Sequence, residues 1–170
     1  MSIEIREIDE SNARDLNQCD RTFLVDSILK LRIDNDTLAY SIFPISSYSK
    51  NYPPTQIDST SIVFFAYDHG QLAGQIIAHE NWNRFAFIDD LTVDRQFRKR
   101  GIGRALMARI VDWAKSRQLA GIMIETQNNN VGACKFYERL GFRLAGFDSM
   151  LYKAINPDTE EIALYWYLNV

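Results

Sequence analysis

Apolar and polar residues alternate with a period of two along much of the first half of the chain, as expected of strands with one buried face. Other short stretches there are continuously apolar, as expected of strands buried on both faces. Together these patterns predict six strands, at residues 3–8, 29–33, 38–42, 62–67, 72–79 and 85–93. The polar triplet Asp34–Asp36 predicts a hairpin turn, and the proline-containing segment 46–61 predicts a long loop.

The periodicity changes after Gly101. From there, apolar residues recur at helical spacing, at Ile102, Leu106, Ile110 and Trp113. This spacing predicts an amphipathic helix that packs on the sheet through one face.

The last third of the chain returns to strands and adds a second helix. Residues 122–126 predict a buried strand, and residues 131–140 predict a helix that ends at Gly141. Residues 142–153 and 162–169 predict two neighbouring antiparallel strands. The whole pattern predicts one α/β domain with a mixed sheet.

Composition narrows the class of protein. Of the 170 residues, 46% are hydrophobic and 24% are charged, which fits one domain with a sizeable core. No apolar run approaches the ~20 residues of a membrane helix, and the N-terminus lacks the basic start and apolar run of a signal peptide. Two cysteines and two histidines form no disulfide framework and no metal-binding pattern. We therefore expect a cytoplasmic protein that holds no metal.

The net charge of −3 gives no support for general nucleic-acid binding, so the strongly basic segment needs a local explanation. This segment, RQFRKRGIG at Arg95–Gly103, holds four basic residues and two glycines before the first predicted helix. The N–H groups of a helix's first turn lack intrahelical partners, and the helix dipole is positive there. Glycine also lets an anion approach the backbone closely. The segment therefore fits a phosphate cradle, with a solvated basic turn as the alternative.

Two familiar phosphate-binding motifs are excluded by the residues that follow. A dinucleotide fingerprint requires a third glycine where this chain has Leu106. A P-loop requires Gly-Lys and then Ser or Thr, whereas Gly103 is followed by Arg104 and Ala105. A cradle here must belong to another class of protein.

A second motif, NVGACKFYERLGF, lies downstream and has the spacing Asn-x-x-Ala-x-x-Phe-Tyr from Asn130 to Tyr137. Together with Arg-x-x-Gly-x-Gly in the basic segment, and the strand between them, it resembles the GNAT superfamily of N-acetyltransferases. The resemblance is clearest over residues 60–168. It implies an enzyme with the GNAT fold, a single α/β (α+β) domain over residues 1–170 whose mixed, mostly antiparallel twisted sheet is flanked by helices. It also implies acetyl-CoA as the cosubstrate and no metal.

By this resemblance, a strand end, the basic segment and the second helix hold acetyl-CoA. Leu91 and Val93 would offer backbone groups to the pantetheine arm and the thioester. Asn130 would bond the pantetheine, and Ala133 would be small enough to let it pass. The N–H groups of the basic segment would surround the pyrophosphate. The whole predicted set is Leu91, Thr92, Val93, Arg98, Lys99, Arg100, Gly101, Ile102, Gly103, Arg104, Asn130, Ala133 and Tyr137.

Acetyl transfer needs a neutral amine, yet a lysine-like amine is only about one part in 10³ neutral at pH 7. A base, or a carboxylate acting through water, must remove a proton. The departing CoA thiolate gains from a proton donor, and the resemblance implies that Tyr137 is this catalytic donor, with core packing as the alternative. A strand N–H at Leu91, Thr92 or Val93 would stabilise the oxyanion.

Two neighbouring carboxylates, Asp89 and Asp90, stand in the otherwise apolar strand FAFIDDLTV, where an unpaired buried charge would be costly. Strand alternation predicts Asp89 on the same face as Leu91, and Asp90 on the other face. We favour Asp89 as the catalytic base. Asp90, Glu125 and Glu80 are the other candidates for this role. Ion pairing, or binding of a cationic acceptor, is the alternative use of these groups.

Other reactive side chains are interpreted as structural. Cys134 is predicted to pack rather than act as a nucleophile, because no histidine is placed to activate it. His69 is predicted in a solvent-facing turn. His79 is predicted to end a strand and to have a structural role, and contact with the acceptor is the alternative.

A finer resemblance lies in the segments NWNRFAFIDDLTV, LAGIMIETQNNNVGACKFYERLGF and ALYWYL, which are similar to streptothricin acetyltransferases. It implies acetyl transfer to the β-lysine amine of that antibiotic, and hence antibiotic resistance. Trp82, Asp89, Asp90 and Glu125 would bind this acceptor, because acidic and aromatic groups suit a polycation. The first 60 residues leave the rest of the acceptor site undefined.

Several alternatives stay open at this stage. Polyamines, aminoglycosides or a protein N-terminus would also suit an acidic acceptor site, so a protein or peptide N-acetyltransferase is one alternative. A non-catalytic CoA-binding sensor would keep the cradle and need no proton donor. The partners we expect are acetyl-CoA and a small cationic amine, with no nucleic acid and no membrane. The oligomeric state is left open, a homodimer included.

Overall fold

The computed structural model describes residues 3–170, whose contacts divide the chain into two compact units. The first unit comprises the described residues up to Phe23, then Asn51–Ile122 and Asn169–Val170. The second comprises Leu24–Lys50 and Met123–Leu168. The prediction of a single domain stays a prediction.

The elements follow the predicted alternation of strands and two helices. The strands are β1 (Ile3–Glu7), β2 (Phe23–Asp34), β3 (Thr37–Lys50), β4 (Ile62–Asp68), β5 (Gln71–Glu80), β6 (Phe85–Val93), β7 (Gly121–Gln127), β8 (Arg143–Asp148) and β9 (Ala163–Asn169). The helices are α1 (Ile102–Ser116) and α2 (Val131–Arg139), with single 3₁₀ turns at Ala13–Asp15 and Arg95–Phe97.

In the first unit, four strands pair in the order β1-β4-β5-β6, and every pair is antiparallel. Helix α1 covers one face, because its apolar stripe of Ile102, Leu106 and Ile110 is fully buried. The opposite face carries a second cluster that includes Val63, Phe65, Tyr67 and Ile77. The unit therefore buries apolar side chains on both sides of its sheet, which explains why β4 reads as a continuous apolar run.

In the second unit, β7, β9 and β8 are neighbours, and β8 and β9 are antiparallel as predicted. Strands β2 and β3 form the predicted hairpin. Asn128 ties this hairpin to the segment after β7, because its carbonyl accepts the Leu29 N–H at 2.8 Å and its amide donates to the Leu29 carbonyl at 3.2 Å. Trp166 of β9 is buried and donates to Thr126 of β7 at 2.9 Å. The mostly antiparallel sheet and the flanking helices confirm the predicted fold class.

Two predicted boundaries are wrong. Residues 46–50 belong to β3 rather than to the loop, which covers only the remainder of the predicted segment. Residues 149–153 form a turn instead of extending β8. Asp148 ends that strand, because its Oδ1 accepts the N–H groups of Met150 at 2.7 Å and Leu151 at 3.1 Å.

One predicted core residue is also only half-buried. Trp113 lies at the edge of the helix face, with the Arg117 guanidinium 5.8 Å from its ring centroid, and Ala114 is the buried residue instead. No helix among residues 3–170 is long and apolar enough to cross a membrane.

A close approach of β5 and α1 depends on Gly74. A Cβ at this position would lie 2.8 Å from the Thr92 carbonyl oxygen and 3.1 Å from Ile102 Cγ2 and Leu106 Cδ1. Replacing Gly74 with alanine should therefore lower the free energy of unfolding by about 2 kcal/mol or more. Thermal denaturation should show a fall in Tm of about 4–8 °C.

The matched control is Gly146→Ala in β8, where a Cβ would meet Tyr165 only at 3.9 Å, an ordinary contact. This variant should keep the wild-type Tm or raise it slightly, because alanine costs less conformational entropy than glycine in a strand. Equal Tm values for the two variants would contradict the packing argument.

Candidate active site

The basic segment forms the connection between β6 and α1, and its backbone is shaped to receive an anion. Lys99 and Gly101 adopt left-handed φ angles of 63° and 85° on either side of Arg100. The first intrahelical hydrogen bond runs from the Ala105 N–H to the Gly101 carbonyl at 3.0 Å. The N–H groups at positions 102–104 therefore have no acceptor within the helix. A phosphate-binding concavity has two such features: residues with positive and negative φ angles that alternate, and unpaired N–H groups at a helix N-terminus.

Two of the arginines hold this connection in shape. Arg98 donates from Nε to the Val93 carbonyl at 3.1 Å and from Nη2 to the Asp20 carbonyl at 3.4 Å. Arg100 stacks on Phe97, with its guanidinium 5.3 Å from the ring centroid, and lies 3.4 Å from the buried Asp68 carboxylate.

Lys99 and Arg104 are exposed, so their charges face solvent where an anion would arrive. The predicted cradle thus combines backbone N–H groups with these two charges. Sequence reasoning missed Asp68, which lies 32 positions before its partner Arg100.

Strand β6 carries a β-bulge at Asp89, which overturns the predicted facing of the acidic pair. Ile77 of β5 pairs with Asp90, whereas the next residue, Ala78, pairs with Ile88, so Asp89 is an extra residue. Because an extra residue breaks the alternation, Asp89 does not share the face of Leu91. Its side chain lies instead beside residues of β5 on the opposite face.

The two aspartates consequently have different partners. Asp90 accepts from Gln75 Nε2 at 2.5 Å and from Thr92 Oγ1 at 2.9 Å, and it lies 3.9 Å from Arg21. Its carboxylate is thus compensated within the first unit. Asp89 lies 2.7 Å from His79 Nδ1 and is partly exposed.

Burial raises the pKa of the Asp89 carboxyl above its ordinary range, although the hydrogen bond to His79 opposes that rise. Asp89 is the more accessible of the two carboxylates, with 26% of its side chain exposed against 12% for Asp90. Its role as the base stays a prediction.

Glu80 is the last residue of β5, and Trp82 lies in the turn that follows. Trp82 is 90% exposed, the value expected of an aromatic residue with no packing role in the described chain. Glu80 forms an ion pair with Arg84, which was one of the alternatives open at the sequence level. Both residues line a shallow cavity of about 500 Å³ together with Trp113 and Arg117.

In the second unit, helix α2 carries the downstream motif. Asn130 caps the helix, because its Oδ1 accepts the Ala133 N–H at 3.2 Å. Tyr137 is buried, with its ring 5.3 Å from that of Phe136 and 5.4 Å from that of Phe142. Asn130 therefore has a structural use in addition to its predicted contact with pantetheine.

The thiol of Cys134, in the same helix, is fully buried. Cys134 lies 3.4 Å from Thr126 Oγ1, and burial raises the pKa of its thiol to about 11. Because the thiolate is the reactive form, the prediction that Cys134 packs rather than attacks fits its surroundings.

Glu125 of β7 is the remaining predicted acidic residue, and it lies in the second unit. Its carboxylate accepts a short hydrogen bond from Tyr152, and burial raises its pKa. Lys50, which also bonds Gln127 and Glu161, opposes that rise. The tertiary structure thus identifies the Tyr152 hydroxyl, 27 positions away, as the partner of Glu125.

The predicted residues thus fall into two sets. The first unit contains the basic segment, Leu91–Val93, the aspartate pair and Trp82, and the second contains Asn130, Ala133, Tyr137 and Glu125. Within the first unit, Trp82 precedes β6 and the basic segment follows it, so the structure does not bring these two together. No group of three or more metal-ligating side chains occurs among residues 3–170. The backbone at the start of α1 has the features of a site for a phosphate-bearing ligand.

Comparison with known proteins identifies the family. The family model described as the acetyltransferase (GNAT) family matches residues 26–142, so the chain belongs to this family. It is an N-acetyltransferase that depends on acetyl-CoA.

Individual relatives extend the match over nearly the whole chain. Streptothricin acetyltransferase A of Bacillus subtilis (strain 168) is 32% identical over 92% of this chain and 94% of its own length. Streptothricin acetyltransferase of Escherichia coli is 34% identical over 85% of this chain and 84% of its own. A crystal structure of a Bacillus anthracis str. Ames protein in complex with acetyl coenzyme A superposes with a TM-score of 0.94, at 39% identity, over 99% of this chain and 100% of the other.

The cradle geometry can be tested at Gly101. A Cβ at this position would have no protein atom within 4 Å, but a residue other than glycine would be strained in this left-handed conformation. Gly101→Ala should raise the Kd for CoA about tenfold or more, because the methyl group occupies the approach of the pyrophosphate. Isothermal titration calorimetry with CoA measures this change.

Gly70→Ala is the matched control, since Gly70 also has a positive φ and open space around its missing Cβ. Both variants should lose about 1 kcal/mol of stability from backbone strain. Only Gly101→Ala should bind CoA more weakly. Equal Kd values for CoA in the two variants would show that the cradle is not part of the binding site.

Proposed function

We propose that this enzyme transfers the acetyl group of acetyl-CoA to a primary amine of streptothricin, on its β-lysine moiety, and so confers resistance to that antibiotic. The observation that carries the proposal is the identity of 32% and 34% to two streptothricin acetyltransferases over most of the chain. Acidic and aromatic side chains in each unit support it, Asp89 and Trp82 in the first and Glu125 in the second, because a polycationic acceptor favours such groups. We also propose a cytoplasmic location, which the two free, buried cysteines support because a reducing compartment keeps thiols unpaired.

For the cofactor we propose the residues predicted from the motifs. The turn at Arg98–Arg104 would bind the pyrophosphate through its N–H groups, supported by its left-handed residues and by the exposed Lys99 and Arg104. Leu91–Val93 would supply backbone groups to the thioester and the pantetheine. Asn130 and Ala133 would contact the pantetheine arm.

The reaction needs two proton transfers, and we propose a residue for each. Asp89 supplies the carboxylate that takes part in deprotonating the acceptor amine. Its side chain keeps access to solvent, whereas the carboxylate of Asp90 is held by its hydrogen bond from Gln75. Tyr137 donates a proton to the departing CoA sulfur. Phe136 and Phe142, on either side of its ring, would hold the hydroxyl in one place.

The acceptor is tested by a panel of amines. Purified enzyme with acetyl-CoA should release CoA thiol with streptothricin, with a kcat/KM at least about tenfold above that for an aminoglycoside, a polyamine or an N-terminal peptide. Expression should also protect cells from streptothricin. Acetylation of peptides with streptothricin untouched would indicate a protein N-acetyltransferase, and no thiol release with any amine would indicate a CoA-binding sensor.

The role of Tyr137 is tested by removing only its hydroxyl. Tyr137→Phe should lower kcat about 10²-fold or more while leaving the Kd for CoA unchanged, because the donor acts on the departing thiolate. Steady-state kinetics and calorimetry measure the two quantities. Tyr167→Phe removes a hydroxyl from a half-buried tyrosine of the same unit, and it should keep the wild-type kcat.

A further inference from the structure

The His79–Asp89 pair is placed by two neighbouring strands of the first unit. His79 lies near the end of β5, where it pairs with Phe87 of β6, and the two rings lie 5.5 Å apart. The bulge at Asp89 turns that carboxylate toward His79, so that its Oδ2 lies 2.7 Å from Nδ1. The pair is neither fully buried nor fully exposed, with 31% of the histidine side chain and 26% of the aspartate side chain accessible.

This hydrogen bond determines which ring nitrogen can act as a base. A carboxylate only accepts, so the neutral imidazole carries its proton on Nδ1 and donates it to Asp89. The lone pair of Nε2 is then available, and no side chain or backbone group among residues 3–170 bonds to it. Asp89 stands two residues before Leu91, so the pair lies next to the strand segment proposed to hold the thioester.

The other carboxylates of the first unit near this strand are already engaged. Asp90 is bonded to Gln75 and Thr92 and lies 3.9 Å from Arg21. Glu80 is paired with Arg84. His79 Nε2 is therefore the basic atom of this region that combines access to solvent with a fixed orientation.

We propose that His79 is the general base of the acetyl transfer and that Asp89 is its positioning residue, an assignment that rests on the proposed function. Nε2 takes one proton from the ammonium group of the acceptor, and the neutral nitrogen forms the C–N bond to the acetyl carbon. The C–S bond then breaks. The nitrogen loses a second proton when it becomes an amide, and the CoA sulfur gains one. The proton on His79 then leaves to solvent.

The charges around the pair favour this proton transfer. Asp89 stabilises the imidazolium that forms, and Asp58 and Asp90 add negative charge nearby. Phe87 contributes an apolar surface against the ring. An acidic environment also attracts the ammonium form of the acceptor, which is the form that prevails at neutral pH.

The test compares pH profiles of kcat/KM for streptothricin in wild type and in His79→Gln, whose amide can still donate to Asp89. With a general base, kcat/KM levels off once the base is neutral, because the ammonium form binds and is deprotonated in the complex. In His79→Gln only amine that is already neutral reacts. Its kcat/KM should be about 10²-fold lower at neutral pH and should keep rising about tenfold per pH unit. A purely structural role would lower the profile without changing its shape.

Asp89→Asn separates the two members of the pair. The amide oxygen introduced by this substitution can accept the Nδ1 proton without carrying a negative charge. The plateau should therefore persist at a lower kcat/KM, because this variant lacks the charge that stabilises the imidazolium as Nε2 takes the proton. His69→Gln is the matched control, because His69 is the other histidine and its side chain is 77% exposed. Its profile should match wild type.

The outcomes are distinct. A plateau retained in His79→Gln but lost in Asp89→Asn would overturn the proposal and make Asp89 the base. A plateau retained in both variants would overturn it in favour of another base, and a wild-type profile that rises about tenfold per pH unit without a plateau would overturn it in favour of deprotonation by solvent. If the wild-type enzyme acetylates no amine at all, the proposed function itself fails, whatever the variants do.

Discussion

The close contact between α1 and the sheet of the first unit is the constraint on which the cradle depends. Gly74 leaves room for Ile102 and Leu106 where any side chain would collide with the Thr92 carbonyl or the helix. Because α1 is anchored there by its first two turns, its N-terminal N–H groups are fixed directly after β6. The left-handed Lys99 and Gly101 turn the chain from strand to helix within a few residues. Apolar packing rather than charge thereby preorganises the N–H groups that we propose bind the pyrophosphate.

The arginines of the basic segment illustrate how such preorganisation is maintained. Arg98 satisfies backbone carbonyls at the end of β6, and Arg100 lies between Phe97 and Asp68. Part of the positive charge that makes this segment conspicuous in an acidic chain therefore serves to hold the loop. Arg95 and Lys99 of the segment, and Arg104 just after it, are exposed to solvent. A phosphate ligand would meet rigid N–H donors with a few adaptable cations around them, which limits the conformational entropy lost on binding.

The bulge in β6 has a comparable effect on the acidic pair. One extra residue lets two adjacent aspartates lie on the same face of the sheet with different partners: Asp90 is compensated by Gln75, Thr92 and Arg21, and Asp89 is bonded to His79. In a regular strand, adjacent side chains would point to opposite faces. Bulges are common near active sites because they redirect a side chain without changing the sheet elsewhere. Here the redirected group is the carboxylate proposed to act in proton transfer.

The sequence by itself determined the elements and the class of chemistry. Period-two and helical patterns placed β6 and the start of α1, and two motifs with their spacing indicated a GNAT acetyltransferase, because local periodicity and short motifs are encoded by neighbouring residues. The tertiary structure decided the rest. The bulge at Asp89, its bond to His79 ten positions earlier and the Arg100–Asp68 pair depend on how strands are registered, and register arises from packing between distant segments. Alternation alone therefore placed Asp89 on the wrong face, since a single inserted residue is invisible to a local pattern.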